Sequence, residues 1–327
     1  PFGRRRQPAF NGNKPVGRFK SALFGSVYFM PPDRFSLQQA DSEHRPVSPS
    51  AKRTCMKIIL ALDDIAVADT PDAQDTLAQA DFVEKTLLKL GHSVIRLPFT
   101  ADLSRMRDAI SAARADLVFN LVESVLNKGR LSVVATQLFD ALNIPYTGND
   151  SFAHGLSADK LAAKKFFLQT GIRTPAGYTV RTADNAPLNK PYILKAAAEH
   201  ASIGLTQKSV LVPAAAGELK TALLKLRSSQ NALSFFAEEY IPGREFNTAF
   251  LDGRILPPAE MRFSEHFKGW KILTYEAKWQ ETTSSYQESA RSFDFESSVA
   301  GELKKFALSV SRKLDLKGYT RLDFRLS

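Results

Sequence analysis

The stretch Leu316-Lys-Gly-Tyr-Thr-Arg-Leu-Asp-Phe-Arg-Leu-Ser327 decides the reading of this chain. From residue 319 to 326 the pattern alternates: Tyr319, Arg321, Asp323 and Arg325 fall on one side, Thr320, Leu322, Phe324 and Leu326 on the other. A period of two predicts a half-buried strand. Arg321 and Asp323 then point the same way, about 7 Å apart along the strand. A guanidinium and a carboxylate facing one cavity suit an oxyanion and a metal ion. Taken alone, the same spacing also describes a solvated face carrying an ion pair. The rest of the chain decides between the two.

Upstream of this strand the pattern divides into blocks. Lys57–Leu62, Ser93–Pro98 and Asp116–Leu121 are apolar strands, with a short fourth at Ile144–Gly148. Between them, Ala73–Leu90, Leu103–Ala113 and Val133–Leu142 have helical periodicity. Alternating strands and helices predict a parallel sheet with helices on both faces, an α/β domain over residues 56–149. The first turn reads Asp63-Asp64-Ile65-Ala66 and carries no glycine-rich dinucleotide fingerprint. Residues 157–171 form a helix with Ser157 as N-cap, Asp159 in the first turn and Gly171 at the end. Beyond Tyr178 the strands shorten, giving α+β organisation in a middle unit, 150–238, and a last unit, 239–327. In the last unit, strands are expected at Ile255–Leu256 and Ile272–Tyr275, a polar loop at 280–292, and a helix from about Ser298 to Leu314.

The 327 residues are 44 % apolar and 24 % charged, ordinary for a globular protein. No apolar run approaches a membrane span, and one cysteine, Cys55, excludes an internal disulfide. Both suit a cytoplasmic setting. Net charge is +10, but residues 1–55 hold ten Lys/Arg against three acids. The basic character therefore belongs to this Pro-, Arg- and Ser-rich segment, which reads as a disordered extension or as frame outside the native fold. A nucleic-acid role would rest on it alone and is not favoured.

Seven stretches, in order and spacing, carry a resemblance: Asn143-Ile-Pro-Tyr-Thr-Gly148, Asp159-Lys160, Tyr192-Ile-Leu-Lys195, the loop Ala197–Gly204, Glu238-Glu-Tyr-Ile-Pro-Gly-Arg-Glu245, Tyr275-Glu-Ala-Lys-Trp279 and Gly318-Tyr-Thr-Arg-Leu-Asp-Phe-Arg325. Together they resemble the ATP-grasp superfamily, in its D-alanine–D-alanine ligase-like branch, over residues 57–327. The resemblance implies an N-terminal pre-ATP-grasp α/β domain and two α+β lobes that hold ATP between them. It also implies Mg²⁺ or Mn²⁺, and a ligase that phosphorylates a carboxylate and lets an amine attack the acyl phosphate. Phosphoryl transfer needs cations on the phosphates. By the resemblance these are Lys160, Lys195 and Lys278, with Ser202 in the phosphate loop. The segment Glu238, Glu239, Tyr240 and Ile241 takes the adenine, Glu245 the ribose, Arg321 the tetrahedral oxyanion and Asp323 the metal. The partners implied are a small amino acid or peptide and a second copy of the chain.

Three departures bear on the substrate. The region after the first strand lacks the family's Ser/Glu pattern, the phosphate-loop serine position is Ala201, with Ser202 beside it, and the position after Lys278 is Trp279 rather than tyrosine. Together they predict a first substrate other than D-alanine. Glu123, in the turn after the third strand, is a candidate for a substrate role. The sequence stops at Ser327, before the family's Glu-x-Asn metal ligands, which predicts an incomplete frame; the alternative is a non-catalytic nucleotide-binding relative.

Overall fold

The computed structural model describes residues 19–24, 55–65, 71–199, 202, 204–229 and 234–327. Strand β1 (Phe19–Phe24) comes first and joins the last sheet of the chain. The N-terminal domain then runs β2 (Lys57–Asp63), α1 (Pro71–Lys89), β3 (Ser93–Phe99), α2 (Leu103–Ala113), β4 (Leu117–Leu121) and α3 (Val133–Ala141). Its three strands are parallel in the order β3-β2-β4. The unbroken apolar run in β2 follows from its central place. Leu60 and Leu62 pack towards Ala80 and Val83 of α1, while Ile59 and Ala61 pack towards Met106, Ile110 and Phe139 of α2 and α3. The expected fourth strand is a single parallel bridge, Val118 to Tyr146.

Next come α4 (Ser151–Ala158) and α5 (Lys160–Gln169), separated by one extended residue, Asp159. Asp159, rather than Ser157, is the N-cap of α5: its carboxylate accepts from the Leu161 and Ala162 N–H groups at 2.9 and 3.0 Å. An ionised acceptor satisfying two otherwise unpaired donors is the stronger start signal, and Ser157 falls inside α4. The middle sheet contains β5 (Gly177–Tyr178), β6 (Tyr192–Ala196), β7 (Val210–Leu211) and β8 (Phe235–Glu239), ordered β5-β8-β6-β7 and antiparallel. Helix α6 (Glu218–Ser229) covers one face, with Leu219 and Leu223 against Tyr192 and Leu194.

The last lobe contains β9 (Arg244–Leu251), β10 (Arg254–Ile255), β11 (Ala259–Phe263), α7 (Tyr275–Trp279), α8 (Ser284–Gln287), β12 (Ser289–Ser292), α9 (Ser297–Lys313) and β13 (Tyr319–Leu326). Its sheet is ordered β1-β13-β9-β11-β12, with β10 beside β9. The strand expected at 272–275 is not formed: Thr274 accepts from the Ala277 N–H and starts α7 at Tyr275. The polar loop expected over 280–292 contains α8 and β12. A segment expected to be irregular forms β1, which pairs antiparallel with β13, Phe24 opposite Arg321 and Phe19 opposite Leu326. The free edge of β13 offers unpaired backbone groups, and those groups rather than an amphipathic pattern recruit β1. The remainder of residues 1–54 lies outside the described residues.

The alternation read in β13 is present: Thr320, Leu322, Phe324 and Leu326 are buried, and the four residues between them are half-buried. The buried side meets Leu303, Ala307 and Val310 of α9 and Phe167 of α5 in one core. Each fully buried large apolar side chain there contributes about 1.5–3 kcal/mol. Helices α4 and α5 precede the middle sheet in sequence yet pack on this last core.

A tight seam joins the N-terminal domain to β13. Asn149 Nδ2 donates to the Tyr319 carbonyl and the Thr320 hydroxyl, and Asn149 Oδ1 accepts from the Lys317 N–H. Tyr319 donates its hydroxyl to the Asn120 carbonyl at 2.9 Å. Gly318, at φ +57°, lies so close to Gly148 that an added Cβ would sit 2.6–2.8 Å from its backbone. Gly318→Ala is expected to destabilise the protein by about 3 kcal/mol, strain and overlap together. Gly253→Ala, also at positive φ but with open space around it, should cost about 1 kcal/mol. Urea unfolding of the two variants checks the difference; equal losses would mean the seam yields.

Candidate functional site

The cleft between the middle and last lobes gathers the charged residues. On β6, Tyr192 and Leu194 face α6, so the strand period turns Ile193 and Lys195 to the opposite side. Register pairs Ile193 with Glu238 and Lys195 with Phe236, which places Lys195 and Glu238 as diagonal neighbours on that side. Glu238 is buried, 5 % exposed, and both of its oxygens are taken. Lys164 Nζ lies 2.6 Å from Oε1, and Lys195 Nζ bonds Oε2. Burial alone would raise the Glu238 carboxyl; the two ammonium groups outweigh it and bring it down to about 2.

Lys164 was not anticipated. Its ammonium also donates to the Pro175 carbonyl at 2.8 Å and the Thr174 hydroxyl at 3.1 Å. The available signal was its spacing: four residues after Lys160, it lies on the same face of α5. Lys160 donates from Nζ to the Ala196 and Glu199 carbonyls, at the end of β6 and the loop beyond it. Burial, and next the like charge of Lys195, lower its pKa to about 8. Lys278, on α7, is also lowered to about 8, by burial and then by Arg321, with Asp323 and Glu245 opposing. Lys160, Lys164, Lys195 and Lys278 thus converge from three separate elements.

On β13, Arg321 and Asp323 form a bidentate pair, Nε–Oδ1 2.8 Å and Nη2–Oδ2 3.0 Å. The ion pair expected from the spacing is present, on a half-buried rather than a solvated face. Among the described residues no group of three or more His, Cys, Asp or Glu could hold a metal ion. Asp323 fits as a single carboxylate ligand, because each of its oxygens keeps a second lone pair after binding Arg321. A Mg²⁺ held that way would need its other ligands from outside the described side chains.

The segment connecting the two lobes is packed and paired along its length. Tyr240 is buried, edge-on to Trp270 at 5.2 Å, and Ile241 is buried beside it. Glu239 turns away from Glu238, as strand alternation requires, and its carboxylate accepts from the Ala176 N–H at 3.3 Å. Its side chain is therefore not gathered into the cleft. Glu245 is paired with Arg325, opposite it in register, at 2.7 Å. Arg325 also donates to the Gly243 and Lys271 carbonyls and lies 5.6 Å from the Tyr240 ring. Ser202, at φ +59°, donates its hydroxyl to the Leu273 carbonyl, tying the segment after β6 to the approach to α7. At the N-terminal domain, Asp63 accepts from the Glu123 and Ser124 N–H groups and from the Ser124 hydroxyl, fixing the turn that carries Glu123.

Comparison with known proteins gives consistent results. A family profile described as "D-ala D-ala ligase C-terminus" matches residues 167–327. A D-alanine--D-alanine ligase of Acidiphilium cryptum is 30 % identical over 255 residues, 76 % of this chain and 77 % of the relative. One from Aquifex aeolicus is 30 % identical, covering 75 % and 78 %. An uncharacterized protein y4sG of Sinorhizobium fredii is also 30 % identical, covering 76 % and 73 %. Among solved structures, a D-alanine--D-alanine ligase from Bacillus anthracis superposes with a TM-score of 0.60 at 18 % identity, covering 84 % of this chain and 83 % of its own. The likeness at that identity concerns the fold.

Because the Glu238 carboxyl is held at about 2 in the fold against an ordinary value of 4.5, its contribution to stability is complete above about pH 4.5. It is lost as pH falls towards 2. Glu238→Gln is expected to flatten this acid limb of the stability curve and, at pH 7, to destabilise by about 3–5 kcal/mol, since two ammonium groups lose their counter-charge. Denaturant unfolding between pH 2 and 7 measures both; an unchanged acid limb would place the titrating group elsewhere.

Proposed function

Since the chain belongs to the D-alanine–D-alanine ligase family of ATP-grasp proteins, we propose that it is an ATP-dependent ligase that joins a small amino acid or peptide carboxylate to an amine, with a first substrate other than D-alanine. The observation that carries this reading is the convergence of Lys160, Lys195 and Lys278 beside the Arg321–Asp323 pair. Cations brought together in one cleft favour a polyanion, and transfer of a phosphoryl group is accelerated chiefly by such positioning and charge. A soluble, cytoplasmic homodimer is part of the same proposal; among the described residues no helix is long and apolar enough to cross a membrane.

In this reading Lys195 and Lys278 hold phosphate oxygens, and Lys160 orders the phosphate loop through the Ala196 and Glu199 carbonyls while lending its charge. Lys164 keeps Glu238 ionised and in place. The backbone of the segment from Glu238 to Ile241 reads the adenine edge. Glu245 offers Oε1 to a ribose hydroxyl, since Arg325 is bound through Oε2. Arg321 positions the reacting carboxylate and stabilises the oxyanion formed when the amine attacks. Asp323 would hold Mg²⁺, which supplies charge neutralisation between the phosphates. Trp279, beside Lys278, replaces a polar reader with an apolar wall, which fits a changed first substrate.

Phosphate release from ATP, measured over a panel of D- and L-amino acids and dipeptides, tests the reaction. Turnover stimulated by one carboxylate and amine pair is expected; a panel without any stimulation sinks the ligase reading. A second outcome follows from the lysines. An anion raises the pKa of an ammonium beside it, so ATP binding should take up protons near pH 8, and affinity should fall as pH rises through 8. Calorimetry at pH 8 in two buffers of different ionisation enthalpy reads the uptake. Lys278→Met should reduce it, and zero uptake in the unaltered protein would remove both lysines from the phosphate site.

A further inference from the structure

Ser132 and His154 make a polar contact outside the groups so far given a role. Ser132 is 1 % exposed, at the junction between the 3₁₀ turn Gly129–Leu131 and α3. His154 lies on α4, with Nε2 2.9 Å from the Ser132 hydroxyl. That hydroxyl has one proton and donates it to the Gly129 carbonyl at 2.8 Å. The proton between Ser132 and His154 therefore comes from the imidazole, which fixes the tautomer with hydrogen on Nε2. Burial lowers the His154 pKa to about 4, so the ring is neutral at pH 7 and this N–H is its single donor.

The contact has little room to slide. One residue on, Gly155 faces α3 so closely that an added Cβ would sit 3.1 Å from Val133 Cγ2. Helix α3 is rooted in the N-terminal core through Ala135 and Phe139, and α4 in the last lobe's core through Ala153. The imidazole thus bonds across two separately built cores. From there a string of hydrogen bonds leads to the cleft. Ser132 holds the Gly129 carbonyl through its hydroxyl and, at 3.0 Å, through its own N–H. The Gly129 N–H donates to the Glu199 carboxylate, and the Glu199 carbonyl accepts from Lys160 Nζ. Lys160 also donates its backbone N–H to the Ala197 carbonyl at 2.9 Å. At the other end of the segment 123–132, Asp63 holds the Glu123 and Ser124 N–H groups. The segment is pinned at both ends, and it presents Gly129 to the loop after β6.

We infer that His154 is a positioning residue for the nucleotide's phosphates: through Ser132 and Gly129 it sets Glu199, and through Glu199 the ammonium of Lys160. The inference rests on the proposed nucleotide site for the ligand that Lys160 meets. Such a string fixes its far end by the direction of each donor rather than by charge. A side chain that returns a donor to the Nε2 position can therefore replace the imidazole, as glutamine does, whereas an apolar ring cannot.

ADP and adenosine share base and ribose and differ in the phosphates, so calorimetric titration of each into the full chain with Mg²⁺ tests the assignment. His154→Phe and Ser132→Ala should each weaken ADP about tenfold and leave adenosine unchanged. The double variant should be no weaker than His154→Phe alone, and His154→Gln should bind ADP as the unaltered protein does. Unchanged ADP affinity in His154→Phe, equal losses for ADP and adenosine, additive losses in the double variant, or a His154→Gln variant as weak as His154→Phe overturns the inference and leaves the contact a fastener between two cores. Where His154→Phe does not fold, Ser132→Ala and Glu199→Ala decide by the same criteria: the two must lose ADP alike, spare adenosine and fail to add. An unaltered protein that gains no affinity from the phosphates of ADP removes the phosphate site and the inference together. ADP binding that depends on His154, in a protein whose ATP turnover no carboxylate and amine pair stimulates, removes the ligase reading and keeps the inference.

Discussion

A buried carboxylate between two ammonium groups organises this cleft. Glu238 is almost wholly buried, and it stays ionised because Lys164 and Lys195 remain beside it. The three side chains come from α5, β6 and β8, and their pairing therefore fixes the position of a helix rooted in the last lobe's core against the sheet of the middle lobe. A salt bridge this deep is weak evidence of net stability. Its structural value lies in the cost of any arrangement that separates the partners, which confines the lobes to relative positions where the lysines still converge.

The other constraint is the seam at the opposite end of β13. Gly318 lies so close to the Gly148 backbone that it has no room for a side chain, and Asn149 fastens three groups of the segment 317–320 at once. The first half of β13 is thereby locked to the N-terminal domain, where Asp63 holds the turn carrying Glu123. The second half extends into the cleft with Asp323 and Arg325. One strand thus carries the metal-ligand candidate, the residue proposed for the oxyanion and the joint to the N-terminal domain.

Much of this was legible in the sequence where one periodicity acted without competition. In β13 one side faces a core and the other faces the cleft, so alternation set Arg321 and Asp323 on one face, while the order and spacing of the motifs singled out Lys195. Elsewhere local signals competed. Ser157 has the composition of an N-cap, but Asp159 two residues later offers a charge and two lone-pair sites, and α4 claims the serine. Ile272–Tyr275 has the β-propensity of its isoleucine and tyrosine, yet the Thr274 hydroxyl starts a helical turn at Tyr275. Strand β1 was illegible because the pull on it is the unpaired edge of β13, which no local pattern encodes. Lys164 escaped notice because a lysine four residues from another on an amphipathic helix ordinarily faces solvent; only the tertiary placement of β8 turns that face inward.

The spacing along α5 has one further consequence. Asp159 fixes where the helix begins, Lys160 reaches the loop after β6, and Lys164, one turn on, reaches Glu238. An α-helix turns by about 100° per residue, so an insertion or deletion between residues 160 and 164 would swing one lysine away from the cleft however well the helix itself survived. The length of this short segment is thereby a geometric constraint on the cleft, separate from the identity of the side chains within it.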